Sequence, residues 1–169
     1  LLAKMHGVCP PGAFVEALNL GVRAMWRNAG RDETNEKVFK REFFGRLNRD
    51  PQELMPMFEL FYREEFEDLA QYTAVDPDAR ELVQLLSDRG YQLAVATQPL
   101  FPLVAIEARL RWAGVGPEEF DYDFVASYET MTACKPRSAY FELILDRLGR
   151  RAGECIMVGN SLESDMPAG

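Results

Sequence analysis

The spacing of apolar and polar positions changes character once along this chain. Up to about residue 72, apolar residues recur every three or four positions, the period of helices with one buried face. Phe14, Leu18, Val22 and Met25 predict a helix from Phe14 to roughly Asn28, preceded by the breaker Pro10-Pro11-Gly12 and ended by Gly30. Phe39, Phe43 and Leu47 predict a second helix from about Asn35 to Leu47. Asp50-Pro51-Gln52-Glu53 then combines a capping acid, a proline at the first helical position and a glutamate suited to a capping box. The helix it opens should reach about Leu69, with Leu54, Phe58, Phe61, Phe66 and Leu69 as its contacts. Leu1 to Met5 read as the tail of an earlier helix closed by His6-Gly7.

Beyond Tyr72, short apolar runs alternate with helical stretches. Asp76-Pro77 caps a helix expected to bury Ala79, Leu82, Val83, Leu85 and Leu86 and to end at Gly90. The runs Gln92 to Thr97, Tyr122 to Ala126 and Cys155 to Val158 are short and nearly uninterrupted, as expected of parallel strands covered on both faces. Between them, helices are expected from about Leu103 to Trp112 and from about Ser138 to Leu148, stopped by Gly114 and Gly149. Helices alternating with buried strands imply an α/β fold, a parallel sheet with right-handed crossovers. The expected organisation is a helical subdomain over residues 1–75 and an α/β core over 76–169.

Composition narrows the function classes. With 47% hydrophobic and 27% charged residues, the 169-residue chain has enough material for a core and an appended subdomain. Its net charge of -8 argues against a general nucleic-acid binder, while leaving room for a small anion site with local positive groups. No apolar run is long enough to cross a bilayer, and no signal-peptide pattern opens the chain. Cys9, Cys134 and Cys155 are far apart with no CxxC pair, which fits reduced thiols in a cytoplasm. The chain opens on Leu1-Leu2-Ala3 without an initiator methionine and closes on Pro167-Ala168-Gly169, so it is expected to be a piece of a longer protein.

Candidate chemistry gathers at the ends of the expected strands, where open α/β sheets bind their ligands. Thr97 closes one run, and its hydroxyl could donate to a phosphoryl oxygen; a local bond that merely ends the strand is the plainer reading. Lys135, followed by Pro136 and a helix, could neutralise charge on a transferring phosphoryl group, although a surface lysine is the default. Val158-Gly159-Asn160-Ser161-Leu162-Glu163-Ser164-Asp165 runs from a strand through a glycine to an acid, and Asp165, with or without Glu163, could hold a hard cation such as Mg²⁺. The competing reading is a Ser161 helix cap followed by acids favoured at a helix start. His6 is the only histidine, which leaves histidine-based triads and zinc sites without support. Cys134 beside Lys135 could have a lowered pKa, but a packing thiol is the simpler reading.

Taken in order, ATQPLFP, ACKPRSAYFELIL and MVGNSLESDM resemble motifs two, three and four of the haloacid dehalogenase-like (HAD) hydrolases, and the helical portion resembles the cap many members insert before motif two. The resemblance implies a Rossmann-like parallel-sheet core with an inserted all-helical cap, here truncated at both ends. It implies that Thr97 and Lys135 act on the phosphoryl group with Gln98 beside them, and that Asp165, with Asn160, holds Mg²⁺. Hydrolysis would run through an aspartyl-phosphate on a first-strand DxD motif. No DxD stands before residue 76, and Asp121-Tyr122-Asp123 precedes a strand instead of following one. The missing first strand would lie between those ending at Thr97 and Val158, so residues 1–169 alone are expected to be inactive and poorly stable. Asn160 replaces an acid frequent in motif four, and Gln98 stands where asparagine is frequent. The implied function is a Mg²⁺-dependent phosphatase of a small phosphorylated metabolite. The alternatives are a 2-haloacid dehalogenase-type hydrolase, whose relatives also carry Asn in motif four, and a catalytically inactive domain that only binds.

Overall fold

The computed structural model describes residues 9–29 and 32–166. The expected helix tail Leu1 to Met5, His6 and the stop at Gly30 fall outside those residues.

Helix α1 spans Pro11–Arg27 and α2 spans Asn35–Leu47. The Thr34 hydroxyl accepts from the Lys37 amide to cap α2, whose far end turns through Asn48 in the left-handed region at φ 51°. Helix α3, Pro51–Leu60, is capped by Asp50, which accepts from the Gln52 amide at 2.8 Å. The single helix expected to reach Leu69 instead changes form twice, into a π-helical turn at Phe61–Glu65 and a 3₁₀ stretch at Phe66–Tyr72. Pro56 inside α3 already removes one helical hydrogen bond. The change of pitch then swings the following aromatics onto a different neighbour.

Phe14, Ala17, Phe43, Phe44 and Leu54 form a buried cluster, with Phe39 and Phe58 packed against it. Rings meet edge to face, Phe14 to Phe43 at 5.5 Å and Phe43 to Phe58 at 5.6 Å between centroids. After the π turn, Phe66 faces Trp112 at 5.1 Å and packs with Ala105 and Ala108, tying the helical region to the later part of the chain. Leu69, expected among these contacts, stays 42% exposed because it lies past the point where the pitch changes.

The sheet is smaller than the sequence predicts. Strand β1, Ala94–Val95, pairs in parallel with β2, Phe124–Val125, in the register Ala94 to Phe124 and Val95 to Val125. The Asp123 amide to Leu93 carbonyl and Ala126 amide to Val95 carbonyl bonds extend the pairing at either end. Helices α5 (Leu103–Trp112) and α6 (Ser138–Leu148) have the expected bounds, and Met131, Ala133, Tyr140 and Ile144 pack with Ala126 in a second core.

Two expectations fail here for one physical reason. The run Cys155 to Val158 is unpaired, with Ile156 91% and Val158 72% exposed, so the third strand is not formed. Helix α4, Pro77–Asp88, buries no residue, and Leu82 and Leu85 are each 45% exposed. An extended run becomes a strand only beside another strand, and an amphipathic helix is covered only by a neighbouring layer. Among the described residues no strand pairs with the run, and α4 is met on one side only in part, where Arg80 reaches Gly114, Glu119 and the Phe120 ring. A short helix α7, Leu162–Asp165, ends the described chain.

Candidate functional site

Because β1 and β2 run parallel, Thr97 and Ser127 leave the sheet at the same rim. The loop after β2 ends at Cys134-Lys135-Pro136, with a cis peptide between Lys135 and Pro136, and feeds α6. This loop is drawn onto the strand end by one side chain. Gln98 accepts from the Lys135 amide at 3.0 Å through Oε1 and donates from Nε2 to the Lys135 carbonyl at 3.4 Å. The Tyr140 hydroxyl in α6 donates to the Thr97 carbonyl at 2.7 Å. Burial pushes the Tyr140 phenol well above its ordinary pKa, so it stays a donor.

The ammonium of Lys135 meets Asp165 Oδ1 at 2.6 Å, with the two side chains only 10% and 5% exposed. Asp165 Oδ2 accepts from the Ser161 amide at 3.0 Å. Lys135 and then the Ser161 amide hold the Asp165 carboxyl below the usual aspartate range. Gly159 makes this possible: a Cβ there would overlap the Asp165 carboxylate. The Ser161 hydroxyl meanwhile caps α7 by accepting from the Ser164 amide at 3.1 Å. The capping arrangement weighed against a functional acid is therefore present together with the ion pair, and the two do not compete.

The structure thus brings Lys135 and Asp165 into contact and sets Gln98 against the Lys135 backbone. Thr97 joins them through its neighbour Gln98 and its carbonyl, and its hydroxyl has no hydrogen-bond partner among the described residues. Asn160 and Glu163 are exposed, outside the buried pair. The Cys134 thiol is pushed up to about 11 by burial, contrary to the lowered value its neighbour Lys135 suggested, and it donates to the Met25 carbonyl at 3.3 Å. Asp123 is structural: its carboxylate accepts from the Leu93 amide at 2.8 Å and from Gln92. Tyr140 was missed from sequence because a tyrosine inside an apolar helical pattern reads as core.

No three His, Cys, Asp or Glu side chains among the described residues are placed to share a metal ion. Magnesium that keeps its waters and takes substrate oxygens asks for one or two carboxylates, and Asp165 supplies one. Both oxygens of that carboxylate are already engaged, by Lys135 and by the Ser161 amide, and Asn160 is exposed beside it in sequence.

A family model described as a haloacid dehalogenase-like hydrolase matches residues 10–169. A curated protein named ribulose-1,5-bisphosphate 5-phosphatase, from Halopiger xanaduensis, is 37% identical over 91 residues, covering 53% of this chain and 36% of the relative. The chain therefore spans about a third of that relative's length. No solved structure matches. With the family model covering nearly the whole sequence, the chain belongs to the haloacid dehalogenase-like hydrolases.

Proposed function

We propose that the protein is a phosphatase acting on a small phosphorylated metabolite, with Lys135 and Thr97 contacting the phosphoryl group. The observation that carries this reading is the buried contact of Lys135 Nζ with Asp165 Oδ1 at 2.6 Å, at the rim where the strands end. A desolvated ammonium fixed at that rim is poised to neutralise charge that grows on a phosphoryl oxygen. The free Thr97 hydroxyl can donate to a second oxygen.

In the reading the family supports, the aspartate of the first-strand DxD motif that residues 1–169 lack forms a bond to phosphorus as the ester oxygen–phosphorus bond breaks. The leaving alcohol takes a proton, and water then attacks phosphorus to release inorganic phosphate and regenerate the carboxylate. Mg²⁺ held by Asp165, with Asn160 nearby, would supply charge neutralisation of the phosphoryl oxygens. The helical region before residue 75 would act as a cap that closes over the substrate and excludes water. The curated relative's name supports a sugar phosphate as the substrate class.

The test is turnover of a generic aryl phosphate by the full-length protein with and without Mg²⁺. Magnesium-dependent turnover that falls about a hundredfold or more in Lys135→Ala is expected. Turnover of a 2-haloacid without added metal, and none of the phosphate ester, would replace this reading with the dehalogenase one. The observation favouring that second reading is Asn160, an amide where an acid would add another carboxylate.

A further inference from the structure

Asn35, the first residue of α2, is fully buried, yet it does not cap its own helix; Thr34 does. The α2 amides it could have served are also satisfied elsewhere, Asn35 N–H by the Met131 carbonyl and Glu36 N–H by the Tyr128 carbonyl, both at 2.8 Å. Its side chain instead reaches into the later part of the chain. Nδ2 donates to the Pro99 carbonyl at 3.1 Å and to Cys134 Sγ at 3.5 Å, while Oδ1 accepts from Asn28 Nδ2 at 2.9 Å.

The two targets are not arbitrary. Pro99 follows Gln98, and Cys134 precedes Lys135, so the loops joined by the Gln98–Lys135 bridge are joined a second time one residue further out. A buried side chain whose two N–H groups are divided between separate loops fixes the distance between them. The simpler reading, a polar group that merely found partners during burial, predicts no special relation between those partners and Lys135.

We propose that Asn35 is a positioning residue, setting the spacing of the Thr97–Gln98 loop from the Lys135 loop and so the place of the Lys135 ammonium. Its consequence for turnover rests on the phosphatase reading; the positioning itself does not. The role also makes the start of α2 part of the site's support, so the helical region and the strand-end loops are held in one register at this point.

Native-state hydrogen exchange on the full-length protein tests it, comparing Asn35→Ala and the near-isosteric Asn35→Asp with the parent. Asn35→Ala removes both donors, and Asn35→Asp leaves at most one. Exchange at the Lys135 amide should rise about tenfold relative to that at Ile144, which reports on α6 as a whole. If Lys135 and Ile144 shift together, Asn35 contributes only to overall stability and the proposal falls; an unchanged Lys135 amide also overturns it, as does Asn35→Asp behaving like the parent. Aryl phosphate turnover, measured in parallel, should lose about tenfold in kcat with little change in KM, the pattern of a misplaced transition-state contact. An exchange response with no turnover in the parent would uphold the positioning role and reject the phosphatase reading instead.

Discussion

The helical region and the α/β region draw on similar sequence patterns and reach different degrees of completion. In α1 to α3, each apolar stripe finds a partner within about forty residues, and Phe43 ends up fully buried among the rings of Phe14, Phe39, Phe44 and Phe58. In the later half, α4 has no fully buried residue and the run Cys155 to Val158 lies open and unpaired. Helices satisfy their own backbones and need only a face to lean on; a strand must borrow its hydrogen bonds from another strand. The contrast therefore measures how much of each region's structure is local. What holds the strand-end rim together is side-chain chemistry: the Lys135–Asp165 pair, the Gln98 bridge and Tyr140.

Substitutions sharpen that contrast, and the largest effect belongs to the self-contained region. Phe43→Ala should cost about 3–5 kcal/mol, read as a shift of the urea midpoint, because it empties the centre of a ring cluster. Lys135→Ala leaves a buried carboxylate unpaired and should cost about 3 kcal/mol in the same experiment, the largest loss for a polar residue of the α/β region. Gly159→Ala forces Asp165 away from Lys135 and should cost about 1–3 kcal/mol, with exchange at the Ser161 amide rising as Oδ2 withdraws. Ile156→Ser, in the open run, should change stability by no more than about 0.5 kcal/mol; a loss as large as that from Phe43→Ala would mean that this run is covered after all and would break the comparison.

Acid titration addresses the same pair from another side. Lys135 depresses the Asp165 pKa in the folded state, so the associated stability is fully present above the unfolded aspartate value of about 3.9 and is lost as pH falls through the lower folded value. Urea midpoints should therefore decline between about pH 5 and that folded value, and the decline should be shallower in Asp165→Asn. Equal slopes in the two proteins would show that the pair does not stabilise the fold.

What the sequence made legible follows the same division. The bounds of α2, α5 and α6 could be read from spacing and stop signals because those signals are local. Leu82, Leu85, Ile156 and Val158 carry the letters of buried residues, and periodicity cannot say whether the covering layer exists. The meeting of Lys135 with Asp165 was legible from Pro136 and Gly159 and the order of the segments, although the strand expected ahead of Asp165 is not formed. Gln98, expected near the phosphate, spends its amide on the Lys135 backbone instead. Asn35 and Tyr140 gave no signal, since an amide at a helix start and a tyrosine in a core stripe are common for reasons unrelated to a site. Their importance lies in partners 64 and 43 residues away, which no local pattern encodes.

The π-helical turn at Phe61–Glu65 has a consequence for how this chain tolerates length changes. It acts as a coupling between two aromatic stripes that face different neighbours, Phe58 toward the α1–α2 cluster and Phe66 toward Trp112. Deleting a single residue there would restore regular pitch, leave Phe58 seated and rotate Phe66 off Trp112. One codon could thus retune how the two halves of the molecule grip each other without disturbing the packing inside either.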